Sequence, residues 1–414
     1  MNMSEADQPN PQLRPVEAFP VRTNGEDFVC LRDPESFAEN PIFLNNTLVF
    51  LVSRMDGKHS LRDIQTDFFR ASGEILPIET LENLVSQLDE QRYLASPSFE
   101  KFHKSLVEEF QNLPARPARH AGSAYQENGE ALAAQLASYF AHPEGPGNGS
   151  SPEPATPLRG LIAPHIDFAR GGPTYAHAYH ALSRYPGADT FIIFGTCHTR
   201  MSQRFSITAK DYETPLGAAK TDKEFVARLS AKLKQDYQDE FCHRGEHSIE
   251  FQAVCLQYLM RDKQGYRIVP ILVGSFHDIY EAGTKASEDP ELVRVVTAVR
   301  ETIEESPGRV CVVAGADLAH VGRRFGDPSG PTEYSLREVE RQDRNFLQLV
   351  ASGDAEAVFD SIAADGDSRR VCGYPPIYMT LRCIDQPQGR LLQYRQWSDL
   401  QAGAAVTYAA VALF

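Results

Sequence analysis

The chain has 414 residues, of which 42% are hydrophobic and 10% aromatic, and this is enough apolar material for two or three packed domains. The formal net charge of −15 argues against a nucleic-acid partner and against binding to an anionic membrane surface, because neither attracts an acidic protein. Residues 1–7 lack the features of a signal peptide and no apolar run reaches the length of a membrane span, so a cytoplasmic location is expected. The seven cysteines are scattered and include no Cys-x-x-Cys pair, which argues against a disulfide framework or a zinc ribbon.

Residues 1–14 are expected to form a disordered leader, and residues 15–106 a compact unit of their own. In this unit an Asp-Gly turn at residues 56–57 is followed by Ser60, which can cap a helix that begins at Leu61. A further helix is predicted over residues 78–91, with its leucines on one face. The order helix, turn, helix, loop, helix indicates a winged-helix arrangement.

Two stretches of this unit, "MDGKHSLRDI" and "LVSQLDEQRYL", resemble the PqqD-like domains. These are small winged helices that recognise peptides beside radical-SAM enzymes. The resemblance implies that a peptide binds by pairing with an exposed strand edge. The alternative, a packing domain that binds nothing, remains open.

Residues 116–414 are predicted to form one α/β domain, because from residue 159 onward strands alternate with helices. Apolar runs at residues 161–163, 190–196, 268–274 and 310–315 read as buried strands. Residues 143–154 are expected to form a solvent-exposed loop, residues 335–351 a charged helix, and residues 404–413 a final strand. A turn at the Gly171-Gly172 pair is expected to precede a helix that starts at Pro173.

Each of the four apolar runs is followed by a histidine. They are His165, His198, His277 and, after Asp317, His320. Ligands of open α/β sheets bind beyond the carboxyl ends of the strands, so we expect His165, His198, His247 and His320 to converge on one pocket. The alternative for any one of them is a hydrogen-bonded loop histidine.

A helix predicted from about residue 244 places Glu246 and His247 in its first turn. The positive end of a helix dipole disfavours imidazolium, so His247 is expected to be neutral at pH 7 and able to accept a proton. We therefore expect His247 and Glu246 to be the catalytic residues of the pocket.

Seven motifs then follow one another in a fixed order across residues 116–414. They are "HAGSAY", "LIAPHIDFARGG", "FIIFGTCHT", "EHSIEFQ", "VPILVGSF", "GADLAHVG" and "VCGYPPI". In these motifs the chain resembles the MEMO family, whose bacterial members are called AmmeMemoRadiSam system protein B. The resemblance implies a fold like that of class III extradiol ring-cleaving dioxygenases, with a mononuclear non-haem iron site at the strand ends. It also implies radical-SAM and AMMECR-type partner proteins.

The same resemblance assigns His165 and His198 to the metal and His247 to the base. Animal members of the family have a metal-binding cysteine, and the dioxygenases a glutamate, at the position matched here to Ala319, which has no donor atom. On that comparison the third ligand must be Asp317, His320, Asp167 or water.

From the residues alone, His165, His198 and Asp317 would form the two-histidine, one-carboxylate set of non-haem Fe(II) oxygenases, and Fe(II) is the expected metal, with Zn(II) or copper as alternatives. The same set with bound water would suit a zinc hydrolase that uses Glu246 or His247 as base. A third hypothesis is a non-catalytic adaptor or metal-binding accessory protein whose N-terminal domain presents a peptide. The sequence leaves these functions open, together with the substrate and the oligomeric state.

Overall fold

The computed structural model describes residues 10–23, 25–147, 157–184, 188–234, 239–261 and 265–414. The chain forms two compact units, Met1–Asn112 and Leu113–Phe414. Within the described ranges, no helix has the length and apolar character needed to cross a membrane.

The first unit is a three-stranded antiparallel sheet followed by four helices. The strands are β1 (Glu17–Thr23), β2 (Glu26–Arg32) and β3 (Ile42–Leu44), and the helices are α1 (Asn46–Val52), α2 (Leu61–Ser72), α3 (Ile78–Glu90) and α4 (Pro97–Asn112). The predicted start of α2 is confirmed, since Ser60 caps it and forms a reciprocal capping box with Asp63. The three strands were not predicted. The winged-helix and PqqD-like interpretations of this unit remain predictions.

The expected disordered leader is wrong for residues 10–14, and residues 1–9 lie outside the described residues. Arg14 is buried and forms an ion pair with Asp33, and Leu13 pairs with Leu94. A buried guanidinium with a carboxylate partner fixes the chain at this point, because either charge alone would be costly to bury. At the other end, α4 continues beyond residue 106, where the compact unit was expected to end, to Asn112.

The second unit alternates strands and helices, and the predicted α/β class is confirmed. Its strands are β4 (Ala115–Arg116), β5 (Gly160–Ala163), β6 (Thr190–Thr196), β7 (Phe205–Ile207), β8 (Asp211–Tyr212), β9 (Arg267–Val273), β10 (Val310–Gly315), β11 (Asp317–Gly322), β12 (Gly389–Asp399) and β13 (Ala404–Leu413). Its helices are α5 (Gly129–Phe140), α6 (Phe168–Arg184), α7 (Lys223–Leu233), α8 (Ser248–Met260), α9 (His277–Glu281), α10 (Pro290–Glu304), α11 (Glu333–Ser352), α12 (Ala355–Ala363) and α13 (Tyr374–Cys383). The predicted charged helix and final strand correspond to α11 and β13. Most of the expected loop at 143–154 lies outside the described residues.

The central sheet is mixed, with strand order β11-β13-β5-β10-β6-β9-β7 and β12 paired to β13. Strands β5, β10, β6 and β9 are parallel to one another, whereas β7, β11, β12 and β13 pair antiparallel to their neighbours. Strand β4 pairs separately with β8. The parallel strands therefore direct their carboxyl ends to one edge of the sheet, where ligand sites of α/β proteins occur.

Alternating side chains of the central strands build a separate core on each face of the sheet. In β6, Phe191 and Ile193 pack into one core with residues of α5, α6 and α8. Ile192 and Phe194 pack into the other with residues of α7 and α10–α13. Both faces are covered by helices, which explains why these strands read as continuous apolar runs.

Helix α6 starts earlier than predicted, at Phe168, so Gly171-Gly172 lies inside a helix and is not a turn. A Cβ on Gly172 would come within 2.5 Å of the Tyr139 ring. The glycine thus permits close packing between α5 and α6. From the sequence it had been interpreted as a turn residue. Pro173 is the sixth residue of the helix, so it has no N–H to donate to the backbone oxygen of Ala169.

Helix α8 approaches the sheet very closely at the ends of two strands. A Cβ on Gly195 of β6 would lie 2.5 Å from side-chain atoms of Ser248 and Ile249, and one on Gly315 of β10 would lie 2.5 Å from the backbone oxygen of Ser248. Only glycine at these two positions lets the first turn of α8 contact the strands directly.

Replacing Gly315 by Ala should therefore destabilise the protein, by about 1–3 kcal/mol, because the new methyl group meets backbone that cannot rotate away. Gly245→Ala is the matched control, since a Cβ there meets nothing within 4 Å. Its effect should stay within about 0.5 kcal/mol. Denaturant unfolding of both variants measures this difference, and equal stability would show that α8 is not held against β10.

Candidate metal centre

His165 stands directly beyond β5 and presents one ring nitrogen to the pocket. Its Nδ1 donates to the backbone oxygen of Gly315 at 2.9 Å, so Nε2 carries the free lone pair of the neutral ring. Nε2 lies 3.3 Å from Sγ of Cys372. A backbone carbonyl thus fixes the orientation of the ring in the manner of metal-binding histidines.

His198 stands beyond β6 and is held by a buried carboxylate. Its backbone N–H donates to Glu246 Oε2 at 2.8 Å, and its Nδ1 lies 3.1 Å from both oxygens of the same carboxylate. The ring centroid is 4.9 Å from that of His165. His198 Nε2 is therefore free of the Glu246 interaction and available to a ligand.

Donor atoms of His165, His198 and Cys372 all lie within 4.8 Å of one another. A second set that meets the same condition is His198, Glu246 and His247. The first set fits a transition metal better, because it combines two oriented imidazoles with a thiol, whereas the oxygens of Glu246 already accept several hydrogen bonds.

The thiol corrects an inference from the sequence. Ala319 was taken as the position of a missing third ligand, but the pocket does contain a cysteine, and it comes from Cys372 in the "VCGYPPI" stretch just before α13. Ala319 is instead a buried residue of β11 whose N–H donates to Thr407 Oγ1. The signal that could have identified Cys372 was its Gly-Tyr-Pro-Pro sequel, since prolines favour the first turn of a helix and so place the cysteine at a helix start.

Glu246 and His247 lie at the start of α8 beside the cluster. The Glu246 carboxylate also accepts from the backbone N–H groups of His247 and Ser248, at 2.8 and 3.0 Å. The His247 ring stacks on that of His198 with centroids 4.8 Å apart. Glu246 thus already accepts several hydrogen bonds and orients its neighbours, while the His247 ring lies against that of His198.

The other predicted ligands lie outside the most compact set of donor atoms. Asp317 Oδ1 accepts from the backbone N–H of His165, and its Oδ2 lies 3.6 Å from His165 Nε2. His320 directs Nδ1 to the backbone oxygens of Leu318 and Arg370. Burial lowers the pKa of His320, but the charge of Cys372 outweighs it and raises that pKa. Asp167 pairs with Arg170 at 2.9 Å. Among the described residues, none of these three joins a set of donors as compact as that of His165, His198 and Cys372.

A buried arginine that the sequence did not indicate supports the loop before α8. Arg116 is fully buried, forms an ion pair with Glu250, and donates to the backbone oxygens of His243 and Glu246 at 2.9 and 2.8 Å. Tyr125, from the "HAGSAY" motif, donates to Glu250 as well. These bonds fix the loop that carries Glu246, and Glu246 in turn orients the His198 ring.

The buried charges shift one another strongly. Burial lowers the pKa of His165, but the Asp317 carboxylate and the Cys372 thiolate outweigh it and raise that pKa to about 9. Burial likewise lowers the pKa of His198, and Glu246 outweighs it, so that the pKa is raised. For Cys372, burial raises the pKa, but positive charge on His165 and His320 holds it well below its usual range. Without metal the pocket therefore contains a thiolate next to imidazolium.

The pKa of His247 is shifted in the opposite direction. Burial lowers its pKa well below the ordinary value, and the Glu246 carboxylate opposes this effect only in part. Burial thus favours the neutral form that was expected of this ring. A neutral imidazole beside the cluster can accept a proton.

A cavity of about 210 Å³ opens beside the cluster. Its lining includes His198, Cys372, His277 and the ring of Tyr374. A larger groove of about 810 Å³ runs along the segment after His198 and shares Cys197 with the smaller cavity. Of these two, the smaller cavity is lined by residues of the donor set, so a small molecule in it would lie next to His198 and Cys372.

Replacing Glu246 by Gln should lower the pKa of His198, because the carboxylate is what raises it. We expect a decrease of the His198 pKa, measured by NMR titration of ¹⁵N-labelled histidine. His277 is the internal control, since its pKa is raised by Asp367 and not by Glu246. An unchanged His198 titration would mean that Glu246 does not control this ring.

Comparisons with known proteins agree with the motifs. The family model described as Memo-like protein matches residues 116–412. A MEMO1 family protein of Aquifex aeolicus is 28% identical over 406 residues, covering 96% of this chain and 99% of its own. One of Thermus thermophilus is 28% identical, covering 84% and 96%, and one of Aeropyrum pernix is 30% identical, covering 72% and 99%. The residues of the described site lie within the matched region, and the chain belongs to the MEMO family.

Proposed function

We propose that this MEMO-family protein binds one transition-metal ion through His165, His198 and Cys372 and is an oxidoreductase of the non-haem iron or copper type. The observation that carries the proposal is the mutual approach of the three donor atoms to within 4.8 Å. Bound iron or copper would supply redox chemistry at the edge of the small cavity.

The chemistry of the donors supports a transition metal over magnesium or calcium. Thiolate and imidazole are soft to borderline ligands that iron, copper and zinc accept, whereas magnesium and calcium prefer oxygen. The set differs from the two-histidine, one-carboxylate arrangement on which the expectation of Fe(II) rested, because the thiol replaces the carboxylate. Iron therefore has no advantage over copper or zinc from the donors alone.

Other residues of the chain would orient the metal ligands and accept a proton. Glu246 and Gly315 orient the two imidazoles through hydrogen bonds. His247, neutral and stacked on His198, would accept a proton from a ligand of the metal bound next to His198. Glu246 would act as a positioning residue and not as the base, because its oxygens are already occupied.

Direct metal titration of the full chain under reducing, oxygen-free conditions tests the proposal. We expect His165→Ala, His198→Ala and Cys372→Ser each to weaken Fe(II) or Zn(II) binding by about tenfold or more. Two matched controls remove the same groups nearby: His277→Ala, an imidazole of the same cavity, and Cys242→Ser, a thiol outside the donor set. Equal affinity in all six proteins would contradict the proposal.

Metal affinity should also rise with pH below about 9. The pKa of His165 is raised to about 9 and that of His198 is raised too, so at neutral pH the metal must displace protons from these rings. Each displaced proton makes the affinity change by about tenfold per pH unit. Calorimetry in buffers with different ionisation enthalpies counts the released protons. Affinity independent of pH between about 6 and 8 would show that these rings are not the ligands.

A second candidate function, a peptide-binding adaptor, is favoured by one observation. The sheet of the first unit has the order β1-β2-β3, so β1 is at an edge and can add a peptide strand. In this function the partners would be a radical-SAM protein and an AMMECR-type protein. Calorimetric titration with a radical-SAM partner's peptide, before and after Val21→Pro in β1, tests it. Binding lost in the variant supports the adaptor, and binding unchanged rejects the strand-addition mode.

A further inference from the structure

The small cavity beside the candidate metal centre is lined by a tyrosine whose hydroxyl group is unpaired. Tyr374 begins α13, two positions after Cys372, and lines the cavity of about 210 Å³. The residue is 2% exposed, and its hydroxyl oxygen has no hydrogen-bond partner among the described residues. Since a buried hydroxyl without a partner has lost its hydration without compensation, this group needs an explanation.

The other buried tyrosines in the described part of the chain all hydrogen-bond through their hydroxyl groups. Tyr175 donates to the backbone oxygen of Ile166 at 3.0 Å. Tyr378, one turn further along α13, donates to Glu356 at 2.6 Å. Of these tyrosines, only the unpaired Tyr374 lines the small cavity, so a molecule in the cavity can be its partner.

The partner that this hydroxyl lacks is an acceptor. A phenol keeps its proton at neutral pH, and burial raises the pKa of Tyr374 further. The backbone N–H of Phe276 opposes that rise, but an N–H is itself a donor and leaves the hydroxyl proton without an acceptor. An oxygen atom of a bound molecule would accept this proton.

The charged groups in the lining of this cavity favour an anion over a cation. Asp367 is the acidic residue of the described lining, and its oxygens already pair with His277 at 3.1 Å and with the backbone N–H of Val371 at 2.7 Å. The side chain of Arg370 is 41% exposed and pairs with Asp327, and a guanidinium has further N–H groups beyond those that this pair uses. Positively charged donors are therefore available in the cavity, whereas its carboxylate is occupied.

We propose that the small cavity binds a small carboxylic acid whose carboxylate accepts hydrogen bonds from Tyr374 and Arg370. Naming this acid as the substrate rests on the oxidoreductase function proposed above, whereas its binding does not. A volume of about 210 Å³ holds about seven waters at about 30 Å³ each, so the acid must be small. Val273, Pro375 and the ring of Tyr374 line the same cavity and would contact its short carbon chain.

Ligand-observed NMR titration of the full chain with isobutyrate tests this inference, with isobutyramide as the uncharged probe of the same shape. We expect isobutyrate to bind to the wild-type protein at least about fivefold more tightly than isobutyramide, because charge-assisted hydrogen bonds are the stronger ones. Tyr374→Phe should weaken isobutyrate binding by about tenfold. Tyr378→Phe is the matched control, since its hydroxyl pairs with Glu356 and the residue does not line the cavity, and it should leave the affinity unchanged.

Stability separates a role in binding from a structural role. Without isobutyrate, Tyr374→Phe should unfold at the same or a higher denaturant concentration than the wild type, because the hydroxyl that it removes is unpaired. Tyr175→Phe removes the bond to Ile166 and should unfold at a lower concentration. A lower midpoint for Tyr374→Phe would show that its hydroxyl already has a partner within the protein, and this result would overturn the inference.

The titrations are made on metal-free and on zinc-loaded protein, so that the two proposals are tested separately. Absence of isobutyrate binding, equal affinity for the two probes, or equal isobutyrate affinity of wild type and Tyr374→Phe would overturn the inference even where zinc binds. Isobutyrate binding that depends on Tyr374 in a protein that binds no zinc would support it and reject only the oxidoreductase proposal.

Discussion

The candidate metal centre depends on the direct contact between the first turn of α8 and the ends of β6 and β10. Gly315 pairs with Ala163 of β5 on one side and with Gly195 of β6 on the other, so the three strands end at one level. His165 and His198 follow immediately and therefore meet. Because Gly195 and Gly315 have no side chains, α8 can begin against them, and this brings Glu246 and His247 to the same level.

Burial of charge is the second constraint. Taking an isolated carboxylate or imidazolium out of water costs several kcal/mol, so each must find a partner of opposite charge. Glu246 compensates His198, Asp317 compensates His165, and the thiolate of Cys372 lies among three histidines. These neighbours favour charged imidazoles and a thiolate in the pocket when no metal is bound, and a divalent cation could replace the two protons without leaving any carboxylate unpaired.

Much of this arrangement follows from the sequence, for a physical reason. Buried parallel strands are recognisable as apolar runs, and the residues just after them must lie at one edge of the sheet. On this basis the α/β class and the positions of His165 and His198 could be predicted. The helix that was predicted to start near residue 244 and to include His247 in its first turn begins at Ser248, so His247 directly precedes it. Cys372 could not be derived in this way, because it lies 207 residues after His165 and approaches from a helix start, not from a strand end. The three strands of the first unit were missed, because β1 and β2 are largely exposed and contain no buried apolar run and β3 has three residues. The glycine pair in α6 permits packing where a turn was expected.

The role of Cys372 as a metal ligand is the central claim. X-ray absorption spectroscopy at the metal edge, on wild-type protein loaded with one equivalent of Fe(II) or Zn(II), tests it most directly. For zinc, the account predicts one sulfur neighbour at about 2.3 Å together with nitrogen or oxygen neighbours at about 2.0–2.1 Å. A spectrum fitted by nitrogen and oxygen neighbours alone would contradict it.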